Sequence, residues 1–405
     1  MPAKHDNLFD GIANFRALRD AFKRAIKGKR KKPGAAAFTA RQETELLKLE
    51  RQLQDGTYRP GHYTTIELFD PKHRVVSAAP FRDRVVHHAL CAVVEPLFAR
   101  GFIGNSFANR VGKGTHRAIS AYERYRDRHA HALRCDIWRY FPSIDHEVLK
   151  SGFRRRIACQ RTLSLMDRIV DGSNPQEPVN LYFEGDDLFS PFQRRRGLPI
   201  GNLTSQFFAN LYLDPLDHFA SEVLRAPYLR YVDDFALFHD DPAVLMEWRK
   251  QIDRFLERRR LKLHPRKTLI VSTSEPSQFL GFTLLANGAR RLPEENVSRF
   301  RNRLRGLRDR WCAHTVDKAD IEQRVGSWIA HASHANTWRL RQAIFEGGWF
   351  DPQLEPGLPP VASAFCAAVP GTTIRGTFAL PNATGTRPET GTTISASVSR
   401  ARLHV

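Results

Sequence analysis

Two neighbouring carboxylates, Asp233 and Asp234, are the side chains of this sequence best suited to chemistry. They lie between the apolar runs 228–232 and 235–238, which are typical of β-strands, so the acids fall at a predicted hairpin turn. That turn lacks the Asn-Gly or Asp-Gly pair that tight hairpins prefer. Like charges at the ends of buried strands repel each other and resist desolvation unless a cation neutralises them. The pair therefore predicts a divalent metal site, with a solvated acidic turn as the alternative.

A third acid, Asp136, ends a short predicted strand that begins at His131. Carboxylates from separate strands can hold two cations roughly 4 Å apart, one beside the attacking oxygen and one beside the leaving oxygen of a phosphoryl transfer. Oxygen-rich sites of this kind suit Mg²⁺. Asp136 and Asp233 are therefore predicted to share a two-metal site.

An aromatic side chain, Phe141, follows the first acid. Pro142 disfavours helical geometry in the residue before it, so Phe141 is predicted to be extended or in a turn beside Asp136. Two roles fit the ring. It could fill core, which is the more common fate of a phenylalanine, or close the space beside a nucleotide sugar.

These residues lie in an ordered series of motifs that resembles the reverse transcriptases, over roughly residues 60 to 330. The matching segments are Asp136 with Phe141, 197–206, 231–234, 261–268, and 279–282, the last being similar to a hairpin that grips the primer end. The resemblance implies an α+β right-hand polymerase fold with fingers, a palm whose antiparallel sheet carries the acids, and a helical thumb. It implies an RNA-directed DNA polymerase that uses deoxynucleotides.

The resemblance also implies roles for individual residues. Asp136 and Asp233 would be metal ligands, with Asp234 as a supporting acid, and Phe141 would exclude a ribose 2′-hydroxyl. Lys267 would be the proton donor to the departing pyrophosphate. The implied contacts to the incoming nucleotide are Lys72, Arg74, Phe141, Ile200, Gly201 and Gln206. Two Mg²⁺ ions are the implied cofactors, with Mn²⁺ as a substitute.

The second motif narrows the subfamily, because most reverse transcriptases have Gln where this chain has Ile200 and Pro where it has Gln206. The segment 200–206 is similar to the form in diversity-generating retroelements, whose enzymes copy a template-repeat RNA with errors at adenines. Loss of a Gln amide under the templating base removes a polar contact that helps to fix base geometry, so relaxed fidelity is expected. The alternatives are a retron or antiviral-defence reverse transcriptase and a non-catalytic RNA-binding protein.

A strong positive charge predicts a polyanionic partner, since 63 Lys and Arg stand against 43 Asp and Glu, for a formal net charge of +20. Apolar residues at helical spacing from Val297 to Trp311 predict an amphipathic helix that is otherwise rich in arginine. The resemblance implies that this helix belongs to the thumb, and an ordinary amphipathic helix is the alternative. The predicted nucleic-acid contacts are Arg110, Arg301, Arg305 and Arg308. A basic run at 27–32 is interpreted as a further RNA contact, and a nuclear localisation signal is its alternative.

The predicted organisation is an N-terminal helical basic extension over 1–58, fingers and palm over 59–288, and a helical thumb over 289–350. Residues 351–405 are rich in Pro, Gly, Thr, Ser and Ala, and are expected to be largely disordered. In the N-terminal extension, Thr39 and Gln42 form a capping-box pattern that predicts the start of a helix.

Several classes of protein are disfavoured. The five cysteines lack paired spacing, which argues against a zinc site or a disulfide framework. No signal peptide or membrane-spanning run is apparent, so a cytoplasmic protein without a membrane partner is expected. The implied partners are template RNA with a primer or an RNA–cDNA duplex, deoxynucleoside triphosphates, and a small basic accessory oligomer.

Overall fold

Two compact units make up the part of the chain that the computed structural model describes, and they divide between Thr273 and Ser274. The described residues are 4–69, 73–174, 176–346 and 348–350. Lys72 and the segment 351–405 lie outside them, as does the expectation of a disordered tail. A division by compactness does not define fingers, palm and thumb, so the limits at 58/59 and 288/289 stay predictions.

The first unit combines helices with two antiparallel sheets. Its helices are α1 (Phe15–Ala25), α2 (Pro33–Ala40), α3 (Gln42–Gln54), α4 (Phe81–Ala99), α5 (Thr115–Arg126), α6 (Tyr140–Ser143), α7 (His146–Arg154), α8 (Gln160–Asp171), α9 (Ser190–Gln193), α10 (Leu203–His218) and α11 (Pro242–Glu257). Its strands are β1 (Thr64–Leu68), β2 (Arg74–Ala78), β3 (His131–Cys135), β4 (Tyr228–Tyr231), β5 (Asp234–His239) and β6 (Leu269–Ser272). A short 3₁₀ helix precedes α1 and a π-helical turn follows α10.

The N-terminal helices form because an apolar face meets the core. The Asn14 side chain accepts a hydrogen bond from the Ala17 N–H and so caps α1, whose Leu18 and Phe22 are buried. The predicted capping box before α3 is wrong. The Thr39 hydroxyl donates to the Ala35 carbonyl in α2 at 2.7 Å instead, because Thr39 is itself helical.

A four-stranded antiparallel sheet in the order β4-β5-β3-β6 carries the predicted acids. In its register Cys135 lies opposite Phe235, and Tyr231 lies opposite Asp234. The strands β3, β4 and β5 are largely buried, and α11 packs against β3, β5 and β6. The α+β class with an antiparallel sheet carrying the acids is confirmed, because apolar strands that ladder together bring their polar ends to one edge.

The second unit contains a small antiparallel sheet and three helices. These elements are β7 (Ser277–Phe279), β8 (Phe282–Leu284), β9 (Arg290–Arg291), α12 (Glu294–Cys312), α13 (Lys318–Ala332) and α14 (Trp338–Phe345). Along α12 the predicted apolar stripe is buried from Val297 to Leu307, and Phe300 stacks on Trp328 with ring centroids 3.8 Å apart. Within the described ranges, no helix is both long enough and apolar enough to cross a membrane.

Candidate active site

The β4–β5 turn presents the predicted acid pair. Val232 and Asp233 are its two central residues, and Asp234 is the first residue of β5. Val232 has φ +59°, in the left-handed region that a β-branched residue rarely adopts. Backbone strain of this kind costs on the order of 1–3 kcal/mol and persists only where the surroundings enforce it. The turn is therefore held by its neighbours rather than by its own sequence.

Asp136 and Lys267 are brought together by backbone pairing between distant segments. The Trp138 N–H donates to the Lys262 carbonyl at 2.9 Å, and the His264 N–H donates to the Asp136 carbonyl at 2.7 Å. Three residues after His264, the Lys267 ammonium lies 2.8 Å from Asp136 Oδ2. Two of the predicted catalytic residues thus form an ion pair.

The three acids lie close enough together to alter the pKa values of Asp233 and Asp234. Burial, and then the charge of Asp136, raise the pKa of Asp233 to about 6. Burial, followed by the charges of Asp233 and Asp136, raises the pKa of Asp234 to about 7. Lys267 acts in the opposite direction on both pKa values. The sheet edge therefore concentrates negative charge that a cation would relieve.

The three acids fit a divalent cation by the chemistry of their donors. Hard cations such as Mg²⁺ are coordinated by carboxylate oxygens. The repulsion between Asp233 and Asp234 favours the binding of such a cation, because the cation would neutralise their charge. Across the described ranges, no group of three or more His, Cys, Asp or Glu side chains is placed so that it could hold a metal ion. The Lys267 ammonium contacts one oxygen of Asp136 and so offsets part of the negative charge of the acids.

The loop before α10 is tied to the strand that carries Arg74. The Ser77 N–H donates to the Ile200 carbonyl at 3.0 Å. The Asn202 amide donates to the Ser77 carbonyl at 2.8 Å and accepts from the Ala79 N–H at 3.1 Å. Arg74, at the start of β2, is exposed, and its charge lowers the pKa of Asp233. Two predicted nucleotide contacts therefore lie on hydrogen-bonded elements: Arg74 on β2 and Ile200 on the loop before α10.

Gly201 and Gln206 lie in this same region. Gly201 has φ +107°, and a Cβ added there would lie 2.8 Å from Val76 Cγ1, so the position requires glycine. Gln206 is half-buried in the first turn of α10, where its N–H donates to the Asn202 carbonyl at 3.2 Å.

Phe141 is half-buried and helical, which corrects the prediction of an extended or turn conformation. It belongs to α6, a single turn that begins at Tyr140. Pro142 is tolerated because it lies in the first turn, where its missing N–H has no helical partner to lose. The Phe141 carbonyl accepts from the Leu198 N–H at 3.0 Å, so this turn adjoins the loop that carries Ile200.

Two predicted nucleic-acid contacts are not supported by their placement. The Arg110 guanidinium donates to the carbonyls of Ile103 at 2.6 Å and Ser106 at 2.9 Å, which commits it to its own loop. Arg308 is only 1% exposed within the second unit and cannot meet a phosphate at the surface. Arginine spacing along a helix did not reveal this, because Arg308 lies one turn after Leu304 on the buried face. Arg301 and Arg305 are exposed.

Sequence reasoning missed the buried polar residues behind the acids. Arg230 and Asp217 are fully buried as an ion pair, and Asn202 bridges two elements. The available signal was Arg230 itself, a charge within the apolar run 228–232. A charged residue in such a run must find a partner or lie at an edge.

Comparisons with known proteins show which family this chain is similar to. Residues 69–284, more than half of the chain, match the family model for reverse transcriptase (RNA-dependent DNA polymerase). Protein YkfC of Escherichia coli (strain K12) is 23% identical over 317 residues, which cover 66% of this chain and 80% of that protein. The group II intron-encoded protein LtrA of Lactococcus lactis subsp. cremoris is 21% identical over 60% of this chain, which spans 50% of LtrA. The structure of apo telomerase from Candida tropicalis aligns with a TM-score of 0.44 at 11% identity, covering 60% of this chain and 50% of that one.

Proposed function

This chain belongs to the reverse transcriptase family, and on that premise we propose that it copies an RNA template into cDNA by two-metal nucleotidyl transfer within a diversity-generating retroelement. The observation that carries the proposal is the gathering of Asp136, Asp233 and Asp234 at one sheet edge. Burial and repulsion between the acids raise the pKa values of Asp233 and Asp234, as expected for carboxylates that bind cations.

Asp136 and Asp233 would hold the metals, with Asp234 supporting the charge. Two Mg²⁺ ions, when bound, would supply activation of the primer 3′-oxygen and neutralisation of the leaving pyrophosphate, and Mn²⁺ is a substitute of similar chemistry. Lys267 forms an ion pair with Asp136 at 2.8 Å, which holds its ammonium beside the acids. From this position Lys267 would donate a proton to the pyrophosphate oxygen.

The deoxynucleotide would bind between the elements that meet near the acids. Arg74 is exposed and close enough to Asp233 to lower its pKa, so it suits a triphosphate contact. Phe141 would exclude a 2′-hydroxyl. Ile200 provides no side-chain hydrogen bond at the position where most of the family has Gln, which supports relaxed fidelity at template adenines.

The nucleic-acid partners follow from charge and exposure. Arg301 and Arg305 are exposed on α12 and can contact a template–primer backbone, as a thumb within 289–350 would. A small basic accessory oligomer and a cytoplasmic location remain part of the proposal, on the resemblance alone.

Primer extension tests the proposal directly. A DNA primer annealed to an RNA template, deoxynucleotides and Mg²⁺ would be given to the wild-type chain, to Asp233→Ala, and to Glu184→Gln as an exposed-acid control. Product is expected from the wild type and the control, and loss of at least about a thousandfold is expected for Asp233→Ala. Sequencing should show errors concentrated opposite adenine.

Each other outcome contradicts a defined part of the proposal. Accurate product would favour a retron or antiviral-defence enzyme over a diversity-generating one. Tight RNA binding by the wild type without any product would favour a non-catalytic RNA-binding protein. Product that survives in Asp233→Ala would remove Asp233 from the metal site.

A further inference from the structure

Behind the β4–β5 turn lies a completely buried ion pair between Arg230 and Asp217. Arg230 is 1% exposed and Asp217 is 0% exposed. The guanidinium donates from Nη2 to Asp217 Oδ2 at 2.6 Å and from Nε to Asp217 Oδ1 at 2.7 Å. This is a two-pronged contact of the kind that fixes the orientation of an arginine as well as its charge.

The same guanidinium also holds the backbone of the acid-bearing turn. Arg230 Nη1 donates to the Val232 carbonyl at 2.9 Å. Val232 is the residue at φ +59°, and its carbonyl belongs to the peptide that joins it to Asp233. A hydrogen bond to that carbonyl therefore constrains the peptide plane that leads directly into the metal-binding acid.

Arg230 links this turn to two further elements. Nη1 also donates to the Asn210 side-chain oxygen on α10 at 3.2 Å, and Nη2 donates to the Ser106 hydroxyl oxygen at 3.2 Å. The backbone of Arg230 is fixed too, since its N–H donates to the Asn105 carbonyl at 2.9 Å. These hydrogen bonds fix the position of the turn relative to α10, which follows the loop at Ile200, and relative to the segment before α5.

A contribution to folding stability is a weak explanation for the buried Arg230–Asp217 ion pair. The cost of desolvating two charges offsets much of their attraction. A protein in which well-packed apolar residues replace a buried ion pair is often equally stable. An apolar pair, however, could not bond the Val232 carbonyl or the Asn210 and Ser106 side chains. What this arginine supplies, and an apolar residue cannot, is a fixed geometry for a strained turn.

We propose that Arg230 is a positioning residue of the polymerase reaction, which locks the left-handed Val232 peptide and so sets Asp233 relative to Asp136. Asp217 orients the guanidinium for this task, and Arg230 itself touches neither substrate nor metal. The inference rests on the proposed function for its kinetic readout. Its structural readout, the mobility of the turn, does not depend on activity.

Three variants separate positioning from folding. Arg230→Met with Asp217→Leu replaces the charged pair by an apolar one, which avoids an unpaired buried charge. Arg230→Lys keeps a charge for Asp217, but one ammonium cannot reproduce the planar set of contacts to Val232, Asn210 and Ser106. Tyr228→Phe is the matched control, because it removes the 2.8 Å bond from the Tyr228 hydroxyl to Asp217 and no contact to the turn.

The readouts are melting temperature, kcat and KM on an RNA template with a DNA primer, the Mg²⁺ concentration for half-maximal rate, and amide exchange of the 228–238 peptide. In both Arg230 variants kcat is expected to fall about 100-fold, since a misplacement on the order of 1 Å has that effect. KM for template–primer should be unchanged, the Mg²⁺ requirement should rise, and exchange in the turn should accelerate. Tyr228→Phe should resemble the wild type.

The inference is overturned if the folded double variant keeps wild-type kcat and turn exchange. It is also overturned if kcat falls only in proportion to the folded fraction, because that would be a stability effect. Should the wild type itself fail to incorporate nucleotides, the proposed function fails, and exchange at 228–238 still decides the role of Arg230. Faster exchange in Arg230→Lys then supports positioning, and unchanged exchange contradicts it.

Discussion

At the scale of single residues, the pKa values of Asp233 and Asp234 connect stability with metal binding. The ordinary pKa of an aspartate carboxyl is 3.8, and burial together with neighbouring acids raises the two values to about 6 and about 7. The folded state therefore holds protons that the unfolded state has released between about pH 4 and pH 7. Stability from these groups is present below pH 4 and is lost as the pH rises through 6 and 7.

A first prediction follows for the metal-free protein. Asp234→Asn removes an ionisation that folding opposes, so it should raise the melting temperature at pH 8 by about 3 °C or more in EDTA. At pH 4 the variant should gain little, because the wild-type carboxyl is then protonated in the folded state. Thermal melts at the two pH values measure the difference.

Addition of Mg²⁺ provides the second half of this test. Cations that neutralise the acids should raise the wild-type melting temperature at pH 8 and raise that of Asp234→Asn less. Glu184→Gln, which changes an exposed acid in a loop, should show neither effect. Equal gains for Asp234→Asn at pH 4 and pH 8 would show that its effect is not electrostatic.

At the scale of elements, the strands whose formation depends on the local sequence pattern could be predicted. The apolar runs around Asp233 and the strand before Asp136 form as predicted, because short apolar runs bounded by polar residues favour buried strands locally. The helical turn at Phe141 was missed, because the bias imposed by Pro142 is weaker than the contact between the Phe141 carbonyl and Leu198.

Long-range partners could not be read from the sequence. Asn202 bonds Ser77, and Arg230 bonds Asp217 and Ser106, yet no spacing rule relates such positions. Arg110 shows the same limit, since its spacing in a basic segment did not reveal that its guanidinium bonds the carbonyls of Ile103 and Ser106. The proximity of the three acids was predictable from residue type and spacing, and the hydrogen bonds that surround them were not.

Gly201 supports a prediction about the loop before α10. Gly201→Ala places a Cβ 2.8 Å from Val76 Cγ1 at φ +107°, so it should destabilise the protein by about 1–3 kcal/mol. Because Val76 on β2 must shift to relieve the contact, and β2 also carries Arg74, KM for deoxynucleotides should also rise. Urea unfolding and steady-state primer extension measure the two effects.

A second glycine provides the control for this change. Gly152 lies inside α7, and a Cβ added there meets no atom within 4 Å, so Gly152→Ala should stabilise by about 0.5–1 kcal/mol. Its KM should equal that of the wild type. If Gly201→Ala lost stability without any change in KM, the loop would not position β2 for the nucleotide.

At the scale of the whole molecule, the formal charge of +20 makes nucleic-acid binding sensitive to salt. Net charge and local phosphate contacts contribute differently to the salt dependence of nucleic-acid binding. Net charge acts on the approach of any polyanion, whereas each phosphate contact releases counterions and adds about 0.9 to the slope of log K against log salt for a duplex. The slope therefore counts contacts that the total charge cannot reveal.

The last prediction uses this difference to test α12. Arg301→Gln with Arg305→Gln removes two exposed cations, and the salt slope for an RNA–DNA duplex should fall by about 2 if both contact phosphates. Arg128→Gln with Lys250→Gln removes the same charge from exposed positions of the first unit and should leave the slope close to that of the wild type. Fluorescence anisotropy across a salt series measures both. Equal losses in the two double variants would mean that net charge attracts the duplex, and α12 would then lose its assignment as the nucleic-acid contact.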